Sequence, residues 1–562
     1  AGAEFAADSR GGVILITLRR RREGGMDGNL QFSTVQSNRI AGYTPTGRIG
    51  IRTGRWTLTA SGSGSFTPAA QSRFTETRGQ AGQPLPFAGR SDSKSRTNYG
   101  RGHFSAVFDP TPKHTAGFDI EYTERSTHMP TLSRTTLGQT QSDSRYRQHM
   151  GGNTLTATAN YIWKIDTLGS QFKLIADYTR YTSHGDNSYH TTTCAPGTLR
   201  DSLYESATGS VYDILTADAG LTRKLPHGLT LRAGLRYTRN GMADDSRYAA
   251  QMQGTWQALP EYGYDQHYTE QIGAAYASLE YSAGRWELSA GLRGEYTSVA
   301  SQAFGRSYFG LFPNVSVSRA LNALRTWLLV AQWSRNIERP AFPALNPARI
   351  RISDYSWQSG NPSLRPTYIH RFSLTTVWKY RYTLTVGGNL HHDLIREIAH
   401  RDATDPDAVY IRPENHYTEN HWFVAASVPA KITRWWNLSV NAVGVMQRIR
   451  LNSTDSPATH YLMFADATCS FTLPAGFFAE AVYRAQSRLY SGNSEVGPRH
   501  TLSATVKKQL FGKRLTLFCT LSNITGCDWE FASLTDGMRR TIDTGQAWSG
   551  RLWKVGAAWN FR

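Results

Sequence analysis

One feature constrains this chain more than any other: a two-residue alternation of apolar and polar side chains that returns along almost its whole length. In residues 229–237, Leu229, Leu231, Ala233, Leu235 and Tyr237 share one parity, and Thr230, Arg232, Gly234 and Arg236 share the other. In residues 286–297, Trp286, Leu288, Ala290, Leu292 and Tyr296 stand against Glu287, Ser289, Arg293 and Glu295. Residues 382–390 and 514–521 repeat the pattern, the latter with Leu515, Leu517, Cys519 and Leu521 on one side. Successive side chains of a strand point to opposite faces. Each segment therefore has one apolar face and one wet, often charged, face.

A soluble sandwich would alternate as well, but two features separate this chain from one. Its strands run to about a dozen residues or more, where ~5–6 is usual in globular sheets. Its connections also alternate in length. Short ones fall at 54–55, 109–113, 166–170, 224–228, 283–285, 320–323, 379–381, 430–434, 474–476 and 510–512. Much longer polar segments lie between them, such as 67–94, 126–147, 189–205, 243–266 and 337–367. Short turns on one rim, long loops on the other and strands that are apolar outside and polar inside specify an all-β fold, a transmembrane antiparallel β-barrel. Ten short turns imply ten hairpins; one strand near 28–36 and one near 549–561 bring the expected count to 22. An even count puts both termini on the short-turn side, the periplasm, with the long loops extracellular. Trp56, Tyr161, Trp163, Trp286, Trp378, Trp435, Trp436 and Trp559 fall at or near strand ends, where interfacial aromatic girdles form.

Composition narrows the partners. With 39% hydrophobic and 12% aromatic residues the chain is too apolar for wholesale disorder. Its apolar runs, such as 327–331 and 423–430, fall far short of the ~18 residues that a spanning helix needs. Four cysteines make no disulfide framework; an oxidising envelope would permit a Cys194–Cys527 bridge, but the two are far apart in sequence and the pairing stays open. Cys519, beside Leu517 and Leu521, reads as a small lipid-facing hydrophobe. A formal net charge of +19 ordinarily suggests nucleic acid, but no aromatic-basic recognition module accompanies it. Outer-membrane lipid and lipopolysaccharide outside the barrel, or an anionic ligand inside, suit the charge better. By parity Arg232, Arg236 and Arg293 point into the lumen and share it with Glu287 and Glu295.

Residues 333–367 carry Arg339-Pro340, Leu345-Asn346-Pro347, Gly360-Asn361-Pro362, Leu364 and Pro366. In that order and spacing they resemble TonB-dependent outer-membrane receptors, specifically the outer-membrane β-barrel branch abundant in Bacteroidetes. Residues 381–430 look like the next family block, with Asp393-Leu394-Ile395 and Asn415, followed by a restart at Trp435-Trp436-Asn437-Leu438. Residues 308–315 are similar to the family's Phe-Pro entry to a strand. At the other end, Gly11-Gly12-Val13-Ile14, Ile16 and Leu18 resemble the last strand of the family's N-terminal plug, and the basic run 19–22 its linker. The resemblance implies two parts, a plug remnant with linker at 1–27 and a barrel at 28–562. It also implies a receptor that binds a scarce solute on its extracellular loops and admits it to the periplasm, driven by TonB if the native chain has a full plug. Most of a plug is missing from this sequence. The alternative is therefore a plugless, receptor-like barrel acting as a scaffold subunit of an outer-membrane complex. An extracellular lipoprotein capping the mouth is a partner common in related systems.

No GxSxG, P-loop or CxxC pattern occurs, so the expectation is a protein that is not an enzyme and carries no cofactor. The densest His/Asp grouping is His391-His392-Asp393 with His400, His416 and His421. Lacking a fixed ligand spacing such as HExxH, it reads as polar lumen and loop residues, with a metal or haem contact as the alternative. Long loops carry recognition because strands fix their ends while their sequences can vary. Arg349, Arg351, Tyr355 and Trp357 form an Arg/Tyr/Trp-rich loop with the composition of a binding hot spot; the competing reading is packing of the loop onto its neighbours.

Overall fold

The computed structural model describes residues 3–4, 6–8, 24–80, 83–302, 304–347, 349–353, 355–403, 405, 407–535, 537–545 and 550–561. Within them, 22 antiparallel strands form one closed barrel, the number expected from the turns. Consecutive wall strands pair with one another, and the first, Gly25–Gln36, pairs with the last, Leu552–Phe561, from Gly28↔Phe561 to Gln36↔Trp553. Closure satisfies every strand edge, which lipid, having no hydrogen bonds to offer, demands. The ten short turns join strands where the sequence places them, and both barrel ends lie on that rim.

The two faces differ as the alternation requires. Along Tyr264–Ala283, Tyr268, Glu270, Ile272, Ala274 and Tyr276 are buried on the inner side, while Gln271, Gly273 and Ala275 between them are exposed on the outer side. The exposed outer side chains around the short-turn rim include Trp56, Trp163, Trp286, Trp378, Trp435 and Trp559, a girdle at one membrane boundary.

The wall is uneven in height. Gln83–Thr111 has 29 residues and Thr198–Lys224 has 27, whereas Leu515–Ser522 has 8. Segments 126–147 and 189–205, and most of 67–94 and 243–266, are not irregular loops but ladder; pairing runs to Leu137↔Thr140 and Ala195↔Thr198 at two of the tips. The sequence reading ended these strands too early for a physical reason. Beyond the lipid the outer face need not be apolar, so alternation fades while the backbone bonds continue. Cross-strand hydroxyl pairs take over the inner face, such as Ser93 Oγ–Thr131 Oγ1 at 2.7 Å and Ser144 Oγ–Thr191 Oγ1 at 2.9 Å. Gly11 to Ile14, Ile16, Leu18 and the run 19–22, which carry the plug resemblance, lie outside the described residues.

Candidate functional site

The connection between the strands Trp327–Glu338 and Thr367–Trp378 does not stand up from the rim; it folds inward. Its first part makes a single helical turn, Phe342–Leu345, with proline in the first turn. Leu345 and Leu364 are fully buried against Met242, Tyr268 and Val299, and the Phe342 ring lies 4.4 Å from that of Tyr268. The two ends of the loop are stitched together. Gly360 N–H donates to Asn346 O at 2.7 Å and Asn361 N–H to Ala344 O at 2.6 Å. A Cβ on Gly360 would collide with both carbonyl oxygens, so only glycine fits this approach. Asn361 caps its own turn, accepting from Ser363 N–H at 3.0 Å, and donates to Pro413 O at 3.1 Å. Asn415 accepts from Arg365 N–H at 2.9 Å and donates to Asp393 O at 2.7 Å. The Asn-Pro and Gly-Asn-Pro elements thus anchor the loop in the barrel.

The far part of the loop is a hairpin, Arg349–Ser353 with Ser356–Ser359, whose second strand pairs in parallel with Val409–Ile411. It reaches the strand Trp56–Gln80, third in the wall, although the loop springs from the thirteenth and fourteenth. Those positions lie on opposite sides of a 22-strand ring, so the loop crosses the mouth. There Glu76 is held between two arginines. Arg540 donates from Nε at 2.8 Å and Nη2 at 3.0 Å, and Arg78 from Nε at 3.0 Å. Arg540 Nη2 also donates to Ser356 Oγ at 3.2 Å, and Arg78 to the carbonyls of Tyr355, at 3.2 Å, and Asp407. Arg78, Arg540 and Ser356 are all buried. The Arg78 guanidinium lies 3.8 Å from the Phe87 ring centroid, and Phe87 meets Tyr355 edge-on at 5.7 Å. Burial pushes the Glu76 carboxyl up, but Arg540 and then Arg78 outweigh it and leave the group below the ordinary carboxylate value. Neither Glu76, Arg78 nor Arg540 was singled out in the sequence; they sit in polar hairpins with no local signal.

The four loop residues that were singled out divide. Trp357 stacks on Tyr262 at 5.9 Å, and Tyr355 packs on Phe87. Arg349 is exposed, with Nη2 3.3 Å from Asp402. The Arg351 side chain lies outside the described residues. The loop's aromatics therefore hold the cap in place rather than stand open to solvent.

Below the cap a second charged network fills the lumen. Arg339 Nη2 donates to Glu295 at 2.6 Å and to Thr297 at 3.1 Å, and the guanidinium lies 3.9 Å from Glu270 and 3.6 Å from Asp8. Arg293 Nε donates to the same Glu295 at 2.6 Å. Residues 3–8 belong to this network where they are described. Ala7 N–H donates to Glu295 at 3.2 Å, and Ala7 O accepts from Ile337 N–H at 3.1 Å. Arg232 pairs with Glu280 and lies 4.0 Å from Glu4. The ladder puts Arg236 opposite Asp218, on the same inner face, while Glu287 lies exposed beside the short turn.

The histidines also divide. His416 Nδ1 and His421 Nε2 lie 3.2 and 2.8 Å from the carboxylate of Glu419, which also accepts from Arg396 at 3.0 Å and Gln447 at 2.8 Å. His391 contacts the Glu419 carbonyl at 2.7 Å, whereas His392 faces Asp393 and His400 faces Glu414. Glu419 is spent on donors, a cationic guanidinium among them. Among the described residues no group of three or more His, Cys, Asp or Glu side chains is arranged to hold a metal ion. Cys194, Cys469, Cys519 and Cys527 are free thiols.

No curated protein sequence matches the chain. Solved structures match its fold across nearly its full length. The siderophore receptor PirA of Pseudomonas aeruginosa aligns with a TM-score of 0.60 at 13% identity, covering 97% of this chain and 82% of that one. A mutant of the ferric enterobactin receptor PfeA, also of Pseudomonas aeruginosa, aligns at 0.61 and 14% identity, covering 96% and 81%. The copper transporter OprC aligns at 0.65 and 12% identity, covering 97% and 81%. The model of the outer membrane protein beta-barrel family matches residues 163–556, well over half the sequence. With a closed 22-strand wall and this match, the chain belongs to the outer membrane protein beta-barrel family.

Proposed function

We propose that the chain is the barrel of a TonB-dependent outer-membrane receptor that takes up a scarce solute, with the short turns in the periplasm and the capped rim outside. The observation that carries this is the loop 339–366 folded across the mouth and locked to the opposite wall by Arg78, Glu76 and Arg540. An open pore needs no such closure; a receptor that admits solute only on demand does. Residues 1–27 act as the end of a plug and its linker, and 28–562 as the barrel. The seat of Ala7 against Glu295 and Ile337 inside the lumen supports this over a plugless scaffold. The structural relatives bind siderophores, ferric enterobactin or copper; fold likeness alone carries no substrate across, so the solute class proposed here is a scarce nutrient too large or too dilute for diffusion. Arg349, exposed at the cap, is a candidate first contact for an anionic solute, with outer-membrane lipid around the wall and an extracellular lipoprotein as the capping partner.

The test uses the native full-length protein as the sole receptor in cells fed ferric siderophores or copper under limitation. Growth that depends on the receptor and vanishes when TonB is deleted supports the reading. Growth that persists without TonB rejects it. Orientation is read separately by labelling the exposed Cys194, near the tip of the tall wall, with a membrane-impermeant maleimide on intact cells.

A further inference from the structure

The ladder between the strands Gly305–Ala320 and Trp327–Glu338 ends at Asn314↔Ser334. The second strand nevertheless runs on, paired on its other side as far as Glu338↔Thr367. Among the described residues, the free edge above Ser334 is satisfied from inside the lumen. Ile337 N–H donates to Ala7 O at 3.1 Å, and Asn336 Nδ2 donates to the same oxygen at 3.2 Å. Buried backbone donors rarely go without an acceptor, so Ala7 stands where the neighbouring wall strand has stopped. Its own N–H donates to Glu295, and it is buried together with Phe312 and Ile337.

The N-terminal segment follows the wall closely. Ala3 is buried against Gly291, where an added Cβ would come within 2.9 Å of the Ala3 Cβ. Gly291 and Glu295 lie on one face of Trp286–Ser301, and the step from Ala3 to Ala7 matches the step between them. The segment then reaches the root of the cap. Asp8 lies 3.6 Å from Arg339, the residue at which the loop leaves the wall, and Arg339 donates to the same Glu295 that Ala7 uses. Pro340 and Pro343 each fix a backbone φ between Arg339 and the end of the helical turn Phe342–Leu345. A displaced Arg339 therefore carries the buried Leu345 with it.

We propose that residues 3–8 are a strap that fills this seam and braces the cap at its root, so that release of the strap and opening of the cap are one coupled event. The seam above Asn314↔Ser334 is then the hinge of the loop 339–366. The proposal rests on the receptor reading for its purpose, which is to regulate access through that mouth. Coupling of this kind is reciprocal: what frees the strap loosens the cap, and what opens the cap loosens the strap.

Hydrogen exchange of the full chain in detergent reads both ends. Ala7→Pro removes the N–H that Glu295 accepts, and Gly291→Val drives a side chain into the strap while placing a residue suited to a strand in the wall. Each should speed exchange in the peptide carrying Gly360 and Asn361 at least about fivefold, the lower end of typical coupling. The ladder between Gln171–Ala195 and Thr198–Lys224 should stay unchanged, which certifies the fold. In the other direction, Arg540→Ala opens the cap at its far end and Gly360→Ala at its stitch, and each should speed exchange at Ile337 by a similar factor. A segment that merely filled the seam would not respond to Arg540, whose partners lie across the mouth. Unchanged exchange at Gly360 and Asn361 in both strap variants overturns the proposal, and so does unchanged exchange at Ile337 in both cap variants. The measurement needs neither TonB nor solute, so failure here is distinguishable from growth that survives TonB deletion.

Discussion

Arg540 closes a two-pronged ion pair on Glu76, Nε–Oε1 2.8 Å and Nη2–Oε2 3.0 Å, across 464 positions of sequence. With Arg78 on its other side and Ser356 on Arg540, this pair ties together the tall wall, the last long hairpin and the loop that crosses the mouth. Removing one arginine leaves a buried carboxylate half-compensated, so the pair is a lock whose parts fail together.

Arg540→Ala should therefore free the cap without loosening the wall. Breaking a buried pair costs about 3–5 kcal/mol, and here that cost falls on a local opening rather than on global unfolding. Hydrogen exchange should show lost protection at Ser356–Ser359 and Val409–Ile411, with the ladder between Tyr264–Ala283 and Trp286–Ser301 unchanged. Uniform loss across the barrel, or none at the cap, would contradict the assignment.

The cap should open in acid. Glu76 in the closed cap sits below its ordinary carboxylate value, because Arg540 and Arg78 outweigh the opposing effect of burial. A carboxyl depressed in the closed state contributes its full stabilisation above the ordinary value of 4.5 and loses it as pH falls through the lowered one. Protease accessibility of residues 339–366 should rise only below about pH 4. Glu76→Gln should be accessible at neutral pH and show no further step on acidification.

Gly360→Ala forces a Cβ into the carbonyl oxygens of Asn346 and Ala344, which are backbone and cannot rotate away. A loss of about 2–3 kcal/mol in cap stability is expected, seen as cleavage of the loop by trypsin at Arg349 in outer membranes while the barrel keeps its heat-modifiable migration. Resistance equal to that of the wild type would show that the stitched ends are not what holds the loop.

In the lumen, Arg339→Ala leaves Glu295 and Glu270 buried with less counter-charge. The thermal midpoint in detergent should drop, consistent with about 3–5 kcal/mol for an orphaned buried partner. Asp8→Asn should change it little, by under about 1 kcal/mol, since Asp8 is half exposed and 3.6 Å from Arg339. A larger effect from Asp8 than from Arg339 would reverse the proposed hierarchy.

How much of this was legible in the sequence varied with position relative to lipid. Where the outer face meets hydrocarbon, the pattern had to alternate, and strands such as Trp286–Ser301 and Tyr382–Arg401 stood out with their turns. The strand Thr140–Lys164 was visible near Trp163 and invisible near Arg145, because water accepts either residue class on that side. The Gly-Asn-Pro element signalled a family resemblance but not its physical task, which is to stitch Gly360 to Asn346. Tyr355 and Trp357 were noticed for composition, whereas the partners that bury them, Phe87 and Tyr262, come from distant strands.

The sequence alone determined the closed barrel and its strand number, because solvation by lipid imposes a local rule on every second residue and turns interrupt it at countable places. Only the tertiary structure decided that the mouth is crossed, that Glu76 lies between Arg78 and Arg540, and that Ala7 rests on Glu295. Those contacts join residues hundreds of positions apart, and no local periodicity records which polar side chain of one hairpin will meet which of another once the ring has closed.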